Sequence, residues 1–290
     1  MKKLIITTLI VLGAAMAFLV SGPTAFAAPK AKTVTVTTGA EFIKAIASNT
    51  IIIVDTEFIN ITEAIYGLED ENLYSESAEE ETRNVFCIGE FDGPEFHINA
   101  VKNLTIRAGQ DVVSIVCNPR YADVINFSNC ENVTIEGITF GHTEEGYCSQ
   151  GVLGFYGCKN FEVLDCDLYG CGTEGIGVYS CEGMYFKGMK IRDCSYHIMH
   201  LSQSQGVKFD SCQFFRNREF DQVNIYECEN VLFENCMFAN NTGNLFNIQC
   251  PVVLKNCVIL HDSMFYGNTD NIQWNNCITE EYFHNEQSLG

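Results

Sequence analysis

Apolar residues recur in pairs separated by one residue, and three such pairs fill each unit of roughly 23 residues over most of the chain. Successive residues of a strand point to opposite faces, so this spacing predicts short strands with one apolar face. One unit contains the pairs Val133/Ile135, Ile138/Phe140 and Leu153/Phe155. Three short strands per unit describe one coil of a parallel β-helix. A leucine-rich repeat has a similar period, but it requires an LxxLxL frame and one strand per unit, so it fits less well.

The position before the first pair of each coil is occupied by residues that tolerate left-handed backbone. These residues are Asn103, Asn132, Asn160, Gly183, Gly206, Asn230 and Asn271, and Pro251 is the exception. We therefore expect a tight turn at the same place in each coil, with each strand about 4.8 Å from its counterpart in the previous coil. The predicted fold class is all-β, a single parallel β-helix over residues 33–283.

The first 27 residues have the composition of an export signal. Lys2 and Lys3 form a basic segment, residues 4–20 are apolar, and Ala25-Phe26-Ala27 is a small-x-small cleavage sequence. We expect cleavage after Ala27 and a secreted, periplasmic or cell-surface protein; a retained membrane anchor is the alternative. No second run of about 18 apolar residues follows, so we expect no membrane span in the mature chain.

Two early segments of the mature domain, residues 28–290, differ from the repeat. In residues 33–55 a strand, a short amphipathic helix and a second strand predict an N-terminal α-helical cap, which an open stack of coils needs. In residues 62–95 acidic residues dominate and the periodicity is lost, which predicts an excursion from the stack. A solvated loop is the simpler interpretation and a calcium-binding loop is the alternative. Calcium is therefore a candidate cofactor, although no specific motif indicates it.

The charge of the chain restricts its partners. The sequence has 17 Lys and Arg against 37 Asp and Glu, a net charge of −20, which becomes −22 without Lys2 and Lys3. Such a surface repels phosphate backbones, so we expect no nucleic-acid partner. It also repels polyuronates unless a divalent cation bridges the two surfaces. Neutral glycans, or a contact mediated by a cation, fit the charge better.

The 15 cysteines allow several interpretations. An exported chain suggests disulfides, but the count is odd and most cysteines fall at fixed repeat positions. One such column contains Cys166, Cys212, Cys236, Cys257 and Cys277. We interpret them mainly as small buried residues stacked in the core, although some neighbours could bridge. A zinc site is less favoured, because paired CxxC spacing is absent; Cys166 with Cys171, or Cys194 with His197, are the conceivable ligands.

The export signal, the strand–helix–strand start and coils such as residues 230–236 (NVLFENC) resemble right-handed parallel β-helix proteins of the pectate-lyase-like superfamily. The resemblance implies the fold and an N-terminal cap. It does not imply one activity, because this superfold includes lyases, glycosidases, esterases, epimerases, phage tailspikes and adhesins. The activity motifs of these families are incomplete here: Gly141-His142 is followed by Thr143, and Pro119-Arg120 lacks the lyase context. No catalytic residue of a family can therefore be transferred to this chain.

Outward positions of the third strand of each coil form one candidate face. Glycines there would leave a groove beside tyrosine rings, and sugar rings stack on aromatic faces. A carboxylate–imidazole–carboxylate series before or within these strands would suit acid–base chemistry. The predicted catalytic residues are Glu174, His197, His200 and Asp221, and the predicted substrate-binding residues are Tyr156, Tyr179, Tyr226, Arg192 and Arg218. A series of opposite charges or stacked tyrosines can equally be a structural feature of the coils. No metal ligands are assigned.

The predicted function is an exported β-helix protein that binds carbohydrate or serves as a cell-surface solenoid, with a polysaccharide or cell-surface glycan as partner. The alternative is a carbohydrate-active enzyme of the polysaccharide lyase or glycoside hydrolase type, acting on a groove along the helix. The sequence does not decide between binding and catalysis.

Overall fold

The computed structural model describes residues 30–78, 81–144, 149–170, 172–260 and 266–279. The predicted signal at residues 1–27 lies outside the described residues. The strands form three long sheets, and each coil contributes one strand to each sheet. All strand pairs within the described residues are parallel except one hairpin, β5 with β6. The predicted parallel β-helix is therefore confirmed.

The strands of the first sheet are β1 Lys32–Val36, β2 Thr50–Val54, β7 Lys102–Ala108, β10 Glu131–Glu136, β13 Lys159–Leu164, β16 Glu182–Lys187, β19 Gln205–Asp210, β22 Val231–Glu234, β25 Val252–Lys255 and β28 Ile272–Asn275. Those of the second are β3 Phe58–Asn60, β8 Ser114–Cys117, β11 Thr139–His142, β14 Asp167–Tyr169, β17 Lys190–Arg192, β20 Gln213–Phe215, β23 Met237–Ala239, β26 Val258–Leu260 and β29 Ile278–Thr279. Those of the third are β4 Tyr74–Ser75, β5 Val85–Glu90, β6 Gly93–Asn99, β9 Ile125–Ser128, β12 Leu153–Tyr156, β15 Glu174–Tyr179, β18 His197–Ser202, β21 Val223–Tyr226, β24 Phe246–Ile248 and β27 Gly267–Asn268.

Two α-helices lie at the N-terminal end of the stack. Helix α1, Gly39–Ala45, begins after Thr38, whose side chain accepts a hydrogen bond from Glu41 N–H, and it buries Phe42 and Ile43. Helix α2, Ile61–Leu68, begins after Asn60 in the same way. Helix α1 packs against β1, β2 and α2, so apolar side chains cover the first coil. This arrangement confirms the predicted N-terminal helical cap.

The acidic stretch at residues 62–95 contains more structure than a solvated loop. It includes most of α2, a short 3-10 helix at Glu71–Leu73, and the strands β4 and β5. The antiparallel hairpin of β5 and β6 then leads into the parallel third sheet, because β6 pairs with β9. The stretch therefore extends the third sheet at its N-terminal end. Its β5–β6 hairpin lies beside the outward face of that sheet.

The interior consists of like residues stacked from coil to coil. Phe186, Phe209 and Phe233 are fully buried, and neighbouring rings stack with centroids 4.8 and 4.6 Å apart. Stacked aromatic pairs add to the burial of apolar area, which is the main source of stability in such a core.

Cysteines such as Cys158, Cys212 and Cys257 lie at the corners of the coils, between one strand and the next, and they form hydrogen bonds as well as being buried. Cys158 Sγ lies 3.3 Å from the Phe127 carbonyl oxygen of the previous coil, and Cys212 and Cys257 make similar contacts at 3.4 Å. Ser204 replaces cysteine at one corner, and its hydroxyl donates to the Ser202 carbonyl oxygen over 2.8 Å. The shared chemistry of the two residue types is a donor that satisfies carbonyl groups at the corner. Cys194 is the exception, since it forms a disulfide.

Candidate functional site

Outward positions of the third sheet form two columns along the stack. The first column contains His97, Asn126, Gly154, Gly177, His200, Asn224 and Asn247. The second contains Asn99, Ser128, Tyr156, Tyr179, Ser202 and Tyr226. The alignment predicted for β9 to β24 is the register in the structure, because strict period-two alternation leaves one register with every apolar residue inside.

Tyr156 and Tyr179 fold back over the glycines that precede them in their strands. Their rings stack with centroids 5.0 Å apart and an angle of 9° between the planes. A Cβ atom on Gly154 would lie 2.9 Å from the Tyr156 ring, and one on Gly177 would lie 2.6 Å from the Tyr179 ring. Glycine at both positions therefore allows the rings to lie close to the sheet. Tyr179 stacks in turn on His200, with centroids 5.3 Å apart.

A groove of about 490 Å³ opens beside Tyr156 on the side of the earlier coils. Its lining includes Glu95, His97, Asn126, Ser128, Tyr156 and Tyr179. Ile88 of the β5–β6 hairpin forms part of its wall. The hairpin thus turns the flat outer face of a sheet into a concave surface with aromatic and polar groups, the usual form of a ligand site.

Beside Glu95, which lines the groove, lie two further carboxyl groups, those of Asp123 and Glu174. Asp123 N–H donates to Glu95 Oε1 over 2.8 Å, and Gly151 N–H donates to Asp123 Oδ1 over 2.6 Å. The Tyr179 hydroxyl donates to Glu174 Oε1 over 2.9 Å. A Cβ atom on Gly151 would lie 2.9 Å from Glu174 Cγ and 3.2 Å from Asp123 Oδ1, so both side chains approach the same glycine.

Burial shifts the titration of these groups. Burial, and then the charges of Glu95 and Glu174, raise the pKa of Asp123 well above its usual range. Burial raises the pKa of Glu174 to about 7, although the hydrogen bond from Tyr179 acts in the opposite direction. Burial also lowers the pKa of His200. Carboxyl groups that hold a proton near neutral pH, beside a neutral imidazole, are suited to general acid–base chemistry.

Two buried side chains of the groove have atoms without hydrogen-bond partners. Asn126 is 2% exposed, and its Oδ1 has no partner. His97 is 5% exposed; its Nε2 lies 2.9 Å from Glu95 Oε2, but neither ring nitrogen has hydrogen-bond geometry. The His97 ring stacks on Phe86, with centroids 4.7 Å apart. Because buried polar groups are normally paired, these atoms are positions that a ligand could satisfy.

The predicted series of Glu174, His197 and Asp221 is only partly assembled. Glu174 and His197 pair in register, but His197 Nδ1 contacts the backbone oxygen of Asp221 and not its carboxylate. The Asp221 carboxylate accepts a hydrogen bond from Asn244 Nδ2 over 3.0 Å. Among the described residues no ion pair joins His197 to either carboxylate, because the Glu174 side chain is directed to Tyr179. Glu174 and His197 therefore lie side by side on successive coils without an ion pair, and the catalytic roles stay predictions.

His200 and Tyr226 belong to the same face, further along the stack. His200 Nε2 lies 2.8 Å from the Tyr226 hydroxyl oxygen, and the two rings are nearly perpendicular at 88°. Tyr156, Tyr179, His200 and Tyr226 therefore form one continuous aromatic row, of which Tyr156 and Tyr179 line the groove.

The predicted arginines lie apart from the groove lining. Arg192 lies in β17 of the second sheet, where its guanidinium pairs with Asp167 and Asp193 at 2.9 Å and covers the Tyr169 ring. Arg218 is exposed before β21. The structure does not bring either side chain to the groove, and their role in substrate binding stays a prediction.

Sequence reasoning missed Glu95, His97 and Asp123. Asp123 had a usable signal, because it precedes the pair Ile125/Phe127 just as Glu174 precedes Ile176/Val178. Glu95 and His97 had none as clear. Every residue of β6 after Gly93 is buried, so polar and apolar positions no longer separate an outer face from an inner one.

Within the described residues, no group of three or more His, Cys, Asp or Glu has the arrangement of a metal site. Calcium dependence stays a prediction. No helix in the described part of the chain is long and apolar enough to cross a membrane.

The three-sheet coil with outward columns defines a solenoid protein of the parallel β-helix class. The family model "right handed beta helix region" matches residues 123–280, more than half of the chain, so the chain belongs to this family. The predicted right-handed coil is thereby confirmed.

Two solved structures with a similar fold are those of a pectin methylesterase and an alginate lyase. A pectin methylesterase from Aspergillus niger is 10% identical, with a TM-score of 0.53 over 88% of this chain and 87% of its own. An alginate lyase from Paenibacillus sp. str. FPU-7 is 8% identical, with a TM-score of 0.51 over 86% of this chain and 95% of its own. At these identities the likeness shows the fold alone. No curated protein sequence matches the chain.

Proposed function

We propose that this protein is an exported carbohydrate-binding protein whose groove on the third sheet binds a glycan. The observation that carries the proposal is the position of Tyr156. One face of its ring stacks on Tyr179 at 5.0 Å, and the register position on its other side is occupied by the small residue Ser128. Tyr156 is 40% exposed. The groove therefore offers an aromatic face with polar groups around it, which is how proteins hold a sugar ring.

The acidic surface favours neutral or cationic glycans over uronates. The sequence without Lys2 and Lys3 has a net charge of −22, and no Lys or Arg is found among the described residues that line the groove. A polyuronate would need a bridging divalent cation such as calcium. The cell surface or the extracellular space, reached by the predicted export signal, is where such glycans are met.

Catalysis is the second candidate, and the raised pKa values favour it. Glu174, with a pKa of about 7, and Asp123, with a raised pKa, could act as general acid and base toward a bound glycan. Such a pair fits a carbohydrate-active enzyme of the lyase or hydrolase type. His200 lies on the same face and could assist, whereas His197 and Asp221 make hydrogen bonds to groups other than Glu174.

The first prediction concerns Tyr156. We expect wild-type protein to bind one or more members of a panel of neutral and acidic oligosaccharides, and Tyr156→Ala to weaken that binding roughly tenfold. The substitution removes the stacking contact between the Tyr156 ring and the sugar ring, together with the apolar area that this contact buries. The two losses amount to about 1 kcal/mol or more. Isothermal titration calorimetry with and without calcium measures the affinity, and chromatography of the same mixtures detects cleavage.

Tyr185→Ala is the matched control, because Tyr185 lies half-buried on the first sheet beside Lys208, away from the groove. It should leave the affinity unchanged. Saturable binding without products supports the binding function. Products that disappear in both Glu174→Gln and Asp123→Asn establish the enzyme instead. An affinity unaffected by Tyr156→Ala places the glycan elsewhere and contradicts the proposal.

A further inference from the structure

The groove is unbalanced in charge as well as in hydrogen bonding. Arg83 pairs with Glu81 at its rim, so this carboxylate is neutralised. In the described part of the chain no Lys or Arg nitrogen lies within 4.0 Å of the carboxylates of Glu95, Asp123 or Glu174. The imidazole of His97 lines the groove, and its Nε2 lies 2.9 Å from Glu95 Oε2. Buried carboxylates without cationic partners are costly, and a bound cation would offset that cost.

Besides the His97 ring nitrogens, the buried side-chain atom without a partner among the described groove residues is an acceptor. Asn126 is 2% exposed and lines the groove, and its Oδ1 accepts no hydrogen bond. A Cβ atom on Gly154 would lie 1.9 Å from Asn126 Oδ1 and 2.9 Å from Asp123 Oδ2, so both oxygens converge above this glycine. Acceptor atoms therefore gather at one end of the groove, next to Tyr156.

We infer that the groove is specific for a saccharide with a free amino group, whose ammonium binds among Glu95, Asp123 and Asn126 while its ring stacks on Tyr156. This inference rests on the proposed glycan-binding function and narrows its ligand class. An ammonium group has donors and no acceptor, which matches the acceptor oxygens of Glu95 and Asn126. Hydrogen bonds between an ammonium and carboxylates are also the stronger, charge-assisted kind.

The same groups oppose the other ligand classes. A uronate would bring a further carboxylate beside Glu95, Asp123 and Glu174, where each added negative charge makes ionisation of its neighbours more costly. An N-acetylated sugar would lose the charge and would replace the donors of the ammonium by one N–H and an acceptor oxygen. A lysine side chain has the ammonium but no pyranose ring to cover Tyr156.

The test compares ligands of matched length at pH 7 and about 0.15 M ionic strength, where surface attraction is screened within about 8 Å. The ligands are a glucosamine oligosaccharide, the fully N-acetylated form of the same oligosaccharide, a uronate oligosaccharide and a lysine oligomer. We expect calorimetry to show the glucosamine oligosaccharide binding at least tenfold more tightly than the other three.

Variants connect the preference to the groove. Glu95→Gln keeps an oxygen to accept from Asp123 N–H but removes the charge, and we expect it to weaken glucosamine binding about tenfold without changing the N-acetylated ligand. Glu174→Gln should act in the same direction, and it supports the test if Glu95→Gln fails to fold. Glu162→Gln on the first sheet removes one exposed charge away from the groove and should change nothing.

The outcomes separate this inference from the proposed function. Equal or tighter binding of the N-acetylated or uronate ligand overturns the amino-sugar specificity and leaves the glycan-binding groove in place. Equal binding of the lysine oligomer also overturns it, because charge alone would then explain the affinity. Absence of binding to every saccharide overturns the glycan-binding function together with the inference.

Discussion

Glu174 combines a buried carboxyl group with a single strong hydrogen bond from Tyr179, and burial outweighs that bond in setting its pKa to about 7. The folded protein therefore binds this proton more tightly than the unfolded chain does. The resulting stabilisation is fully present below about pH 4.5 and is lost as the pH rises through about 7. The residue contributes to the site at the expense of stability at neutral and alkaline pH.

Replacing Glu174 by Gln tests this balance. As the pH rises from about 4.5 to 8, we expect Glu174→Gln to gain stability relative to wild type by up to roughly 3 kcal/mol, since one pKa unit corresponds to about 1.4 kcal/mol. Urea unfolding at both pH values measures the difference. Glu162→Gln, on an exposed strand position, should show no such pH-dependent change. A difference that stays constant with pH would mean that Glu174 titrates alike in the folded and unfolded states.

The element that repeats along the stack is a turn in left-handed backbone at the start of each first-sheet strand. At six of the seven predicted positions φ is positive, between 50° and 69°, and Asn271 is the exception. The asparagine amides also bond to one another: Asn132 Nδ2 donates to Asn103 Oδ1 over 3.1 Å, and Asn160 Nδ2 donates to Asn132 Oδ1 over 3.2 Å. Asparagine thus stabilises the turn in two ways: its backbone tolerates the left-handed conformation, and its side-chain amide bonds to the asparagine of the neighbouring coil.

Substitutions at Asn132 separate the two contributions. Asn132→Ala loses both and should destabilise the protein by about 1–2 kcal/mol, the cost of left-handed backbone for a residue with a Cβ atom. Asn132→Gly keeps the backbone freedom and loses only exposed amide bonds, so we expect it to cost less than about 1 kcal/mol. Urea unfolding followed by circular dichroism compares them. Gln213→Ala, at an exposed strand position, is the control. Equal losses for Ala and Gly would show that the amide bonds dominate.

Strands and turns of this kind could be predicted from the sequence because inward and outward residues alternate from β7 onwards. The prediction placed Tyr156 and Tyr179 side by side, since one register satisfies every apolar pair. It failed for β6, where both faces of the strand are buried and the alternation is hidden. Hydrogen-bond partners could not be predicted at all. The Glu174 carboxylate accepts a hydrogen bond from Tyr179 and not from His197. This depends on side-chain directions, which the spacing of residues in the sequence does not specify.

The two ends of the described stack differ in how well the described residues cover the core. At the N-terminal end, α1 places Phe42 and Ile43 over the first coil, where they are 0% and 4% exposed. At the C-terminal end of the described stack, Trp274 is 36% and Ile278 38% exposed, and β29 has two residues. In a solenoid each coil contacts only its neighbours, so a poorly covered end coil can separate without unfolding the rest.

The cysteines allow this difference to be measured coil by coil. We expect pulsed alkylation in increasing urea, with mass spectrometry, to label Cys277 and Cys257 at lower urea than Cys130 and Cys158, because the C-terminal coils open first. The thiol chemistry favours the opposite order: a hydrogen bond from Cys158 lowers the pKa of Cys130, whereas burial raises that of Cys277. Early labelling of Cys277 and Cys257 would therefore report access to the thiol and not its reactivity. Labelling of all four at one urea concentration would instead indicate that the stack unfolds as a single cooperative unit, and earlier labelling of Cys130 would place the weaker end beneath the helical cap.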